Sequence, residues 1–430
     1  MRLRSTLALC ALCLLPPRGA RAQFLQYAAP GSLALEERSL SEEAREKAEE
    51  ARWTLGKWRI APDIALHDVA WVDNVYDSSD AQEGISDVTA TLRVGLEGFV
   101  HLGPDVLFSL WGRPSYTYWQ DQEDLRSSRV SLGAGVFGLH NRLTWDLVAE
   151  RSEEQSFASD ELRVPLDLER DHAAAGFEVE LRRPLALLVR AEQIEARYPP
   201  RTPTGGPEVD LRPLDRDESI LTAQLVYQPG DRLRIGLGAE VSEVDFEVDP
   251  GGRSNEATSP ALAVEAEGNR VDFQLGAVLR QLEFDDPVLG ETDEVTGHGR
   301  LGWQLATHSV ATVYGGRNIV YSALDATSYY TSGVGGAQVG WSSQPEQRGV
   351  LVALIAETGR NSYESALGGL SGRADDITNY GVTFAFPYRR LLTFEIGVIE
   401  SEVDSNLREF DRSYTRVRTG IRLEPLGPGR

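Results

Sequence analysis

Cysteine is almost absent from this sequence of 430 residues, and the two present, Cys10 and Cys13, both fall near its start. No disulfide scaffold and no cysteine-based metal or redox site can be built downstream of them. Methionine occurs once. Positive charge is scarce: 43 Lys and Arg stand against 66 Asp and Glu, a balance that repels polyanions and excludes nucleic acid as a partner. Beyond the first residues no apolar run approaches the roughly 20 residues of a membrane-spanning helix. Any crossing of a bilayer must then be made by a closed sheet, the other structure that satisfies every backbone polar group in lipid.

The opening residues read as a leader. Arg2 and Arg4 precede an apolar run from Leu7 to Leu15, and Ala20-Arg21-Ala22 supplies a small-residue cleavage site, so residues 1–22 are expected to be a signal peptide and the mature chain to begin at Gln23. Leu9 and Leu12 stand before the two cysteines where a lipid-attachment signal needs small residues. Removing the leader lowers Lys plus Arg from 43 to 39 against the same 66 acids, a net charge of −27.

What is present in quantity is glycine (41) and interfacial aromatics (8 Trp, 14 Tyr). Residues 23–56 are expected to form a periplasmic segment with a short charged helix. Ser39 with Glu42 makes a capping box, and Leu40, Ala44, Ala48 and Ala51 make a thin apolar stripe. Two readings stay open for it: a solvated helix, or a plug or docking element for a periplasmic partner. From Lys57 the period changes to two. Val88, Ala90, Leu92, Val94, Leu96, Gly98, Val100 and Leu102 alternate with Asp87, Thr89, Thr91, Arg93, Gly95 and Glu97, so one face meets oil and the other water. The pattern returns in Leu233, Ile235, Leu237, Ala239 and Val241, and again in Leu392, Phe394, Ile396 and Val398.

About 18 such segments of about ten residues each can be marked, with 16 the other count. Short turns such as Gly103-Pro104-Asp105, His140-Asn141 and Gly268-Asn269 alternate strictly with long polar loops such as 151–170 and 197–218. A soluble sandwich has no reason to sort its connections by length, whereas an outer-membrane barrel has short periplasmic turns at one rim and long external loops at the other. The predicted fold is therefore all-β: an antiparallel up-and-down transmembrane barrel over 57–424, in the bacterial outer membrane and against its lipid, with both termini periplasmic and a tail at 425–430. Tyr116, Tyr118, Trp119, Trp303, Trp341, Phe386 and Tyr388 fall near segment ends, where rings suit the membrane interface.

The alternation assigns Arg93, Glu97, Arg113, Arg129, Asp146, Glu178, Glu180, Arg190, Arg234, Glu240, Asp272, Arg280, Arg300 and Glu395 to the inner wall, as pore-lining candidates. Inward Gly95, Gly133, Gly135, Gly236, Gly238 and Gly276 are expected to leave space. Closure of the last strand on the first is expected to bring Arg416, Arg418 and Arg422 to Lys57 and Arg59, a basic seam near the periplasmic mouth that would draw anions. Glu243, Asp245, Glu247 and Asp249, with Asp285, Asp286, Glu291, Asp293 and Glu294, form acidic external loops: a solvated rim, or carboxylates that divalent cations bridge to anionic lipid or polysaccharide.

Motifs for chemistry are few. Gly133-Ala134-Gly135-Val136-Phe137-Gly138 matches a dinucleotide-binding pattern by letter but sits within an alternating strand. The histidines at 67, 101, 140, 172, 298 and 308 lack metal-ligand spacing, and no G-x-S-x-G elbow occurs. No catalytic residue, metal site or cofactor is assigned, and the chain is read as a non-enzyme.

The first strand, Trp58-Arg59-Ile60-Ala61-Pro62-Asp63-Ile64, leads to Asp73-Asn74-Val75-Tyr76-Asp77. With the leader, the short helix and the barrel length, this hairpin resembles the β-barrel porins associated with exopolysaccharide loci. The usual terminal aromatic is missing: the chain ends Leu423-Glu424-Pro425-Leu426 and then Gly427 to Arg430. The resemblance implies a conduit for exopolysaccharide export working with polysaccharide and periplasmic export proteins. A general or solute-selective porin for uptake, and a structural barrel with no open channel, are the alternatives.

Overall fold

In the computed structural model, residues 40–51, 53–75, 84–156, 166–199, 211–230, 232–323, 327–344, 350–366, 372–388 and 392–423 are described. The leader, Ser39, Tyr76, Asp77 and the terminal tail lie outside them. The chain forms one closed antiparallel barrel of 18 strands, each paired with its sequence neighbours, with the last strand closing on the first. These are β1 (Trp58–Val72), β2 (Asp87–His101), β3 (Val106–Trp119), β4 (Ser127–His140), β5 (Leu143–Ser156), β6 (Leu166–Arg182), β7 (Leu185–Arg197), β8 (Arg216–Gly230) and β9 (Leu233–Phe246). They continue as β10 (Asn255–Glu267), β11 (Val271–Phe284), β12 (Glu291–Ala306), β13 (Ser309–Tyr321), β14 (Thr327–Ser342), β15 (Leu351–Ala366), β16 (Ala374–Tyr388), β17 (Leu392–Ser405) and β18 (Arg412–Leu423). Short connections between β2 and β3, β4 and β5, and so on to β16 and β17 gather at one rim; the longer ones gather at the other.

The strands run 12 to 17 residues, not about ten. A tilted strand needs only about 9–11 to cross the hydrocarbon, so each extends beyond it. The burial pattern is inverted relative to a soluble protein. On β2 the even positions Leu92 and Leu96 are 47 and 55% exposed, while Thr89 and Thr91 on the odd face are 3 and 8% exposed. Only a non-aqueous exterior makes that arrangement favourable, because apolar side chains turned to water on 18 strands would forfeit about 25 cal/mol per Å2 of exposed area. Tyr116, Tyr118, Trp303, Trp341 and Phe386 all face outward, between 42 and 55% exposed. Trp119 does not. It occupies an inward register position on β3 and is buried with Val75 and Leu125, because odd residues of that strand face in.

Ahead of the wall, among the described residues, lies one helix, α1 (Leu40–Glu50). Its residues are straight-chain helix formers with Glu42 and Glu43 in the first turn and Lys47 in the last, in keeping with the helix dipole. Lys47–Glu43 and Arg45–Glu49 pair at 2.9 and 3.1 Å, one turn apart. A three-residue strand, Trp53–Leu55, then pairs with Trp58–Ile60 of β1 across a turn in which Gly56 takes φ 63°, a conformation a side chain would strain. This hairpin hands the chain from helix to wall.

Candidate functional site

All the charged residues assigned to the inner wall occupy inward positions in the observed register. Of the wall arginines, all but Arg280 are ion-paired, and the guanidinium nitrogens of Arg280 are buried without a hydrogen-bond partner. Arg93 lies 2.8 Å from Asp63, Arg113 3.4 Å from Glu97, Arg234 3.3 Å from Glu265 and Arg300 3.3 Å from Asp272. Arg129 reaches Asp167 at 3.2 Å. Arg190 bridges Asp146 at 3.3 Å and Glu192 at 2.9 Å, and His172 meets the same Glu192 at 2.9 Å. Arg280 is fully buried, and Glu240 nearly so. Pairing of this kind, largely half-exposed, stabilises little, about 0–1 kcal/mol per pair. Its consequence is electrostatic: the wall is polar and of mixed sign rather than a track of one charge.

Glu192, His172, Asp63 and Glu265 belong to this wall and were absent from the sequence assignment. The signal was available, since His172 shares the parity of Glu178 on β6 and Glu192 that of Arg190 on β7.

At the short-turn rim α1 lies inside the barrel. Its alanine stripe explains why: Ala44 and Ala48 are buried against inward Phe99, Leu107 and Phe137 from β2, β3 and β4, flanked by Leu40, Ala51, Ala61 and Val148. Small residues let the helix lie flat on the wall. Ser41 Oγ donates to the carbonyl of Trp145 at 2.8 Å, and Arg59 donates to the carbonyl of Ala48 at 3.1 Å. The two ends of the helix are thus fixed to β5 and β1.

Eighteen strands spaced about 4.8 Å apart and tilted about 40° enclose a backbone cylinder about 35 Å across. Side chains on both walls reduce that to about 24 Å, and a helix is about 10–12 Å thick. One helix therefore narrows this mouth and does not fill it.

The long-loop rim is built differently. Leu166, Leu168, Val244, Phe246, Leu282, Phe284, Tyr321, Tyr329, Tyr330 and Tyr363 from β6 to β15 form one buried apolar core with Leu211 and Leu214 of the β7–β8 loop. Phe284 stacks on Tyr329 at 5.4 Å, and Phe246 meets Tyr321 edge-on at 5.3 Å. Arg253, fully buried, ties the loops together: it donates to the carbonyls of Ser322 at 2.9 Å and Pro213 at 2.5 Å, pairs with Asp249 at 3.2 Å, and lies over the Phe246 ring at 4.4 Å.

The structure revises three expectations. The basic seam does not gather. Arg416, Arg418 and Arg422 stand opposite Val72, Ala70 and Ala65, whereas Arg59 stands opposite Phe99 near the short-turn rim and Lys57 precedes β1. Arg59 is thirteen positions from Val72, opposite Arg416, and six from Ala65, opposite Arg422: roughly 40 and 20 Å along a strand. Barrel closure requires a stagger between strands, so two strand ends adjacent in a drawing are far apart on the wall. The inward glycines do not all leave space: a Cβ at Gly133 would run into the Trp111 indole and one at Gly135 into the Phe137 ring, so aromatic side chains already lie in those gaps. Nor are the acids all loop residues. Glu243 and Asp245 are on β9, and Glu291, Asp293 and Glu294 on β12. Glu294 is buried and pairs with Arg317 at 2.9 Å, Asp249 is taken by Arg253, and Glu247, Asp285 and Asp286 stay in loops. Glu243, Glu256, Glu283 and Glu291 stand directly opposite one another on four neighbouring strands, facing outward. Among the described residues no group of three or more His, Cys, Asp or Glu is arranged to hold a metal ion.

The hairpin that carried the family resemblance serves the seam. Asp73 Oδ1 accepts the Thr415 amide at 2.7 Å, and Asn74 donates to the carbonyl of Ser413 at 3.4 Å, joining the end of β1 to β18.

No protein-family model matches this chain, and no curated protein matches its sequence. Solved structures do resemble it. Outer membrane protein OpdK from Pseudomonas aeruginosa is 11% identical, with a TM-score of 0.51 over 85% of this chain and 98% of that one. A BenF-like porin from Pseudomonas fluorescens Pf-5 is 9% identical, with a TM-score of 0.52 over 86% and 100%. OccK9 (OpdG) of Pseudomonas aeruginosa is 10% identical, with a TM-score of 0.53 over 85% and 98%. At such identities the likeness is one of fold: this chain has the 18-stranded barrel architecture of those outer-membrane proteins.

Proposed function

We propose that this chain is an outer-membrane channel through which small hydrophilic solutes diffuse into the cell, with the short turns and both termini on the periplasmic side. The observation that carries the reading is the combination of an apolar, lipid-suited exterior with a wide, polar, ion-paired inner wall on one closed sheet. The solved neighbours, among them an outer membrane protein crystallised with vanillate and a BenF-like porin, fit uptake of small solutes. Nothing in the fold or in these neighbours supports export of exopolysaccharide, and no polysaccharide or export partner enters the reading. Catalysis plays no part in it.

Swelling of liposomes that carry the purified barrel tests the proposal. Isosmotic sugars of increasing size are expected to enter at rates that fall with size, and liposomes that stay impermeable to the smallest sugar would contradict a diffusion channel.

A further inference from the structure

The β13–β14 hairpin parts from the wall at its long-loop end. β12 and β13 are paired up to Gly297 and Arg317 and no further, although β12 stays paired with β11 as far as Glu291 and β13 with β14 as far as Tyr321. Arg317 reaches Glu294 across the fork at 2.9 Å. Above the fork the tip contacts strands that it does not adjoin. Tyr321 accepts from Asn255 Nδ2 of β10 at 2.9 Å and meets Phe246 of β9 edge-on, and Tyr329 stacks on Phe284 of β11. Four strand spacings of about 4.8 Å separate β13 from β9 along the wall, so these contacts need a tip that leans across the inner face. Its arms carry the means to bend there: Gly315 stands opposite Gly335, beside Gly316, Gly333 and Gly336, and glycine weakens a strand.

The tip covers polar groups that have nothing to bond. Glu240, Ser242, Ser259, Arg280 and Thr296, inward on β9 to β12, are all buried, Ser259 and Arg280 with no exposed surface. The guanidinium nitrogens of Arg280, Glu240 Oε1 and the three hydroxyls have no hydrogen-bond partner. Tyr321 of the tip, Glu240 and Glu218 are the groups that act electrostatically on Arg280, and none bonds to it. A cation shut away from water without an acceptor works against whatever covers it, whereas a satisfied one holds its cover down. Arg253, bonded to three loops, is of the second kind and Arg280 of the first. Aromatic packing holds the tip in place against that opposition.

We infer that the β13–β14 tip is a lid, hinged at its glycine-bearing arms and poised to open, whose displacement turns Arg280 and Glu240 to the water of the lumen. Opening widens the long-loop mouth, a consequence that rests on the channel reading above; the lid itself does not.

The test reads opening from the mature chain carrying Ser259→Cys, a near-isosteric thiol under the lid, as its rate of modification by a water-soluble maleimide. Tyr321→Ala, which removes the contacts with Phe246 and Asn255, is expected to speed modification about tenfold or more. Arg280→Met keeps much of the volume and drops the charge, and is expected to slow modification about tenfold or more. The Ser322 amide, bonded to the carbonyl of Ser328 at 3.0 Å in the tip, is expected to exchange more slowly in the same variant. The sign decides, because an arginine that merely supports the tip would loosen it when removed. Modification and exchange that are unchanged or faster in Arg280→Met overturn the lid, as does a Tyr321→Ala chain no more reactive than the parent. In planar bilayers Tyr321→Ala is expected to conduct more than Arg280→Met; equal conductance overturns the link between lid and mouth. Absence of conductance in every form, with the thiol rates as expected, overturns the channel reading and leaves the lid standing.

Discussion

Replacing Arg253 by Met removes the one group that holds three loops of the long-loop rim in a single arrangement. Its guanidinium donates to Ser322 of the β13–β14 loop, to Pro213 of the β7–β8 loop and to Asp249 of its own loop, and it covers the face of Phe246. Methionine keeps much of the volume and supplies no donor. The carbonyls of Ser322 and Pro213 are then left buried without that partner, at about 1–3 kcal/mol each, and a desolvated cation–π contact of about 2 kcal/mol is lost. Discounting for relaxation, local opening of the rim becomes easier by about 3–6 kcal/mol, a factor on the order of 100 or more. The strand ladder is untouched, so the barrel itself is expected to fold. Hydrogen exchange reads this directly. The amides of Gly252 and Ser254, bonded to Asp249, are expected to lose protection about a hundredfold, while those of Gly236 to Val241 in the middle of β9 keep theirs. Equal protection of Gly252 and Ser254 in the variant and wild type would refute the reasoning, because it would mean the apolar core alone holds the loops.

Three further outcomes are expected. Gly133→Leu places a side chain where the Trp111 ring lies, so the indole is forced off the wall; its fluorescence should become quenchable by acrylamide, and an unchanged signal would mean the wall yields instead. Glu256→Gln with Glu283→Gln relieves three directly opposed like-charge contacts on β9 to β12, and should stabilise the barrel against urea by about 0.5–2 kcal/mol at low salt, a gain that vanishes near 1 M salt. Asp73→Ala removes the acceptor of the Thr415 amide at the seam, and should cost about 1 kcal/mol, seen as faster exchange at Thr415 with strands far from the seam unaffected.

The two-residue alternation and the sorting of connections by length made the barrel legible, because both follow from local chemistry: each outward residue must be apolar, and each connection belongs to one rim. Inward parity was legible for the same reason, down to residues such as Arg190 and Glu178. What could not be read was anything that depends on stagger. Arg422 and Arg59 look adjacent when first and last strands are laid end to end, and the stagger of the closed barrel sets Arg422 opposite Ala65 instead. The apolar inward residues Phe99, Leu107 and Phe137 broke the alternation on three neighbouring strands, and that break was the sign that something packs there; the alanine stripe of residues 40–51 was its complement. Tyr321, Tyr329 and Tyr330 lie at the strand ends on either side of the β13–β14 connection. Their burial depends on loops that meet across several strands, which no local pattern records. The glycines misled because a missing side chain was read as empty space, while the ring of a neighbouring Trp or Phe had already taken it.

The direct test of the central claim is a nitroxide scan along β9, one label at each position from Leu233 to Phe246 in lipid bilayers. Collisions with oxygen, which concentrates in hydrocarbon, should peak at Ile235, Leu237, Ala239 and Val241 and fall at Arg234, Gly236, Gly238 and Glu240, with a water-soluble relaxant showing no access at the first set. A profile with no two-residue period, or one in which the leucines and valines are reached from water, would contradict a barrel whose apolar face meets lipid.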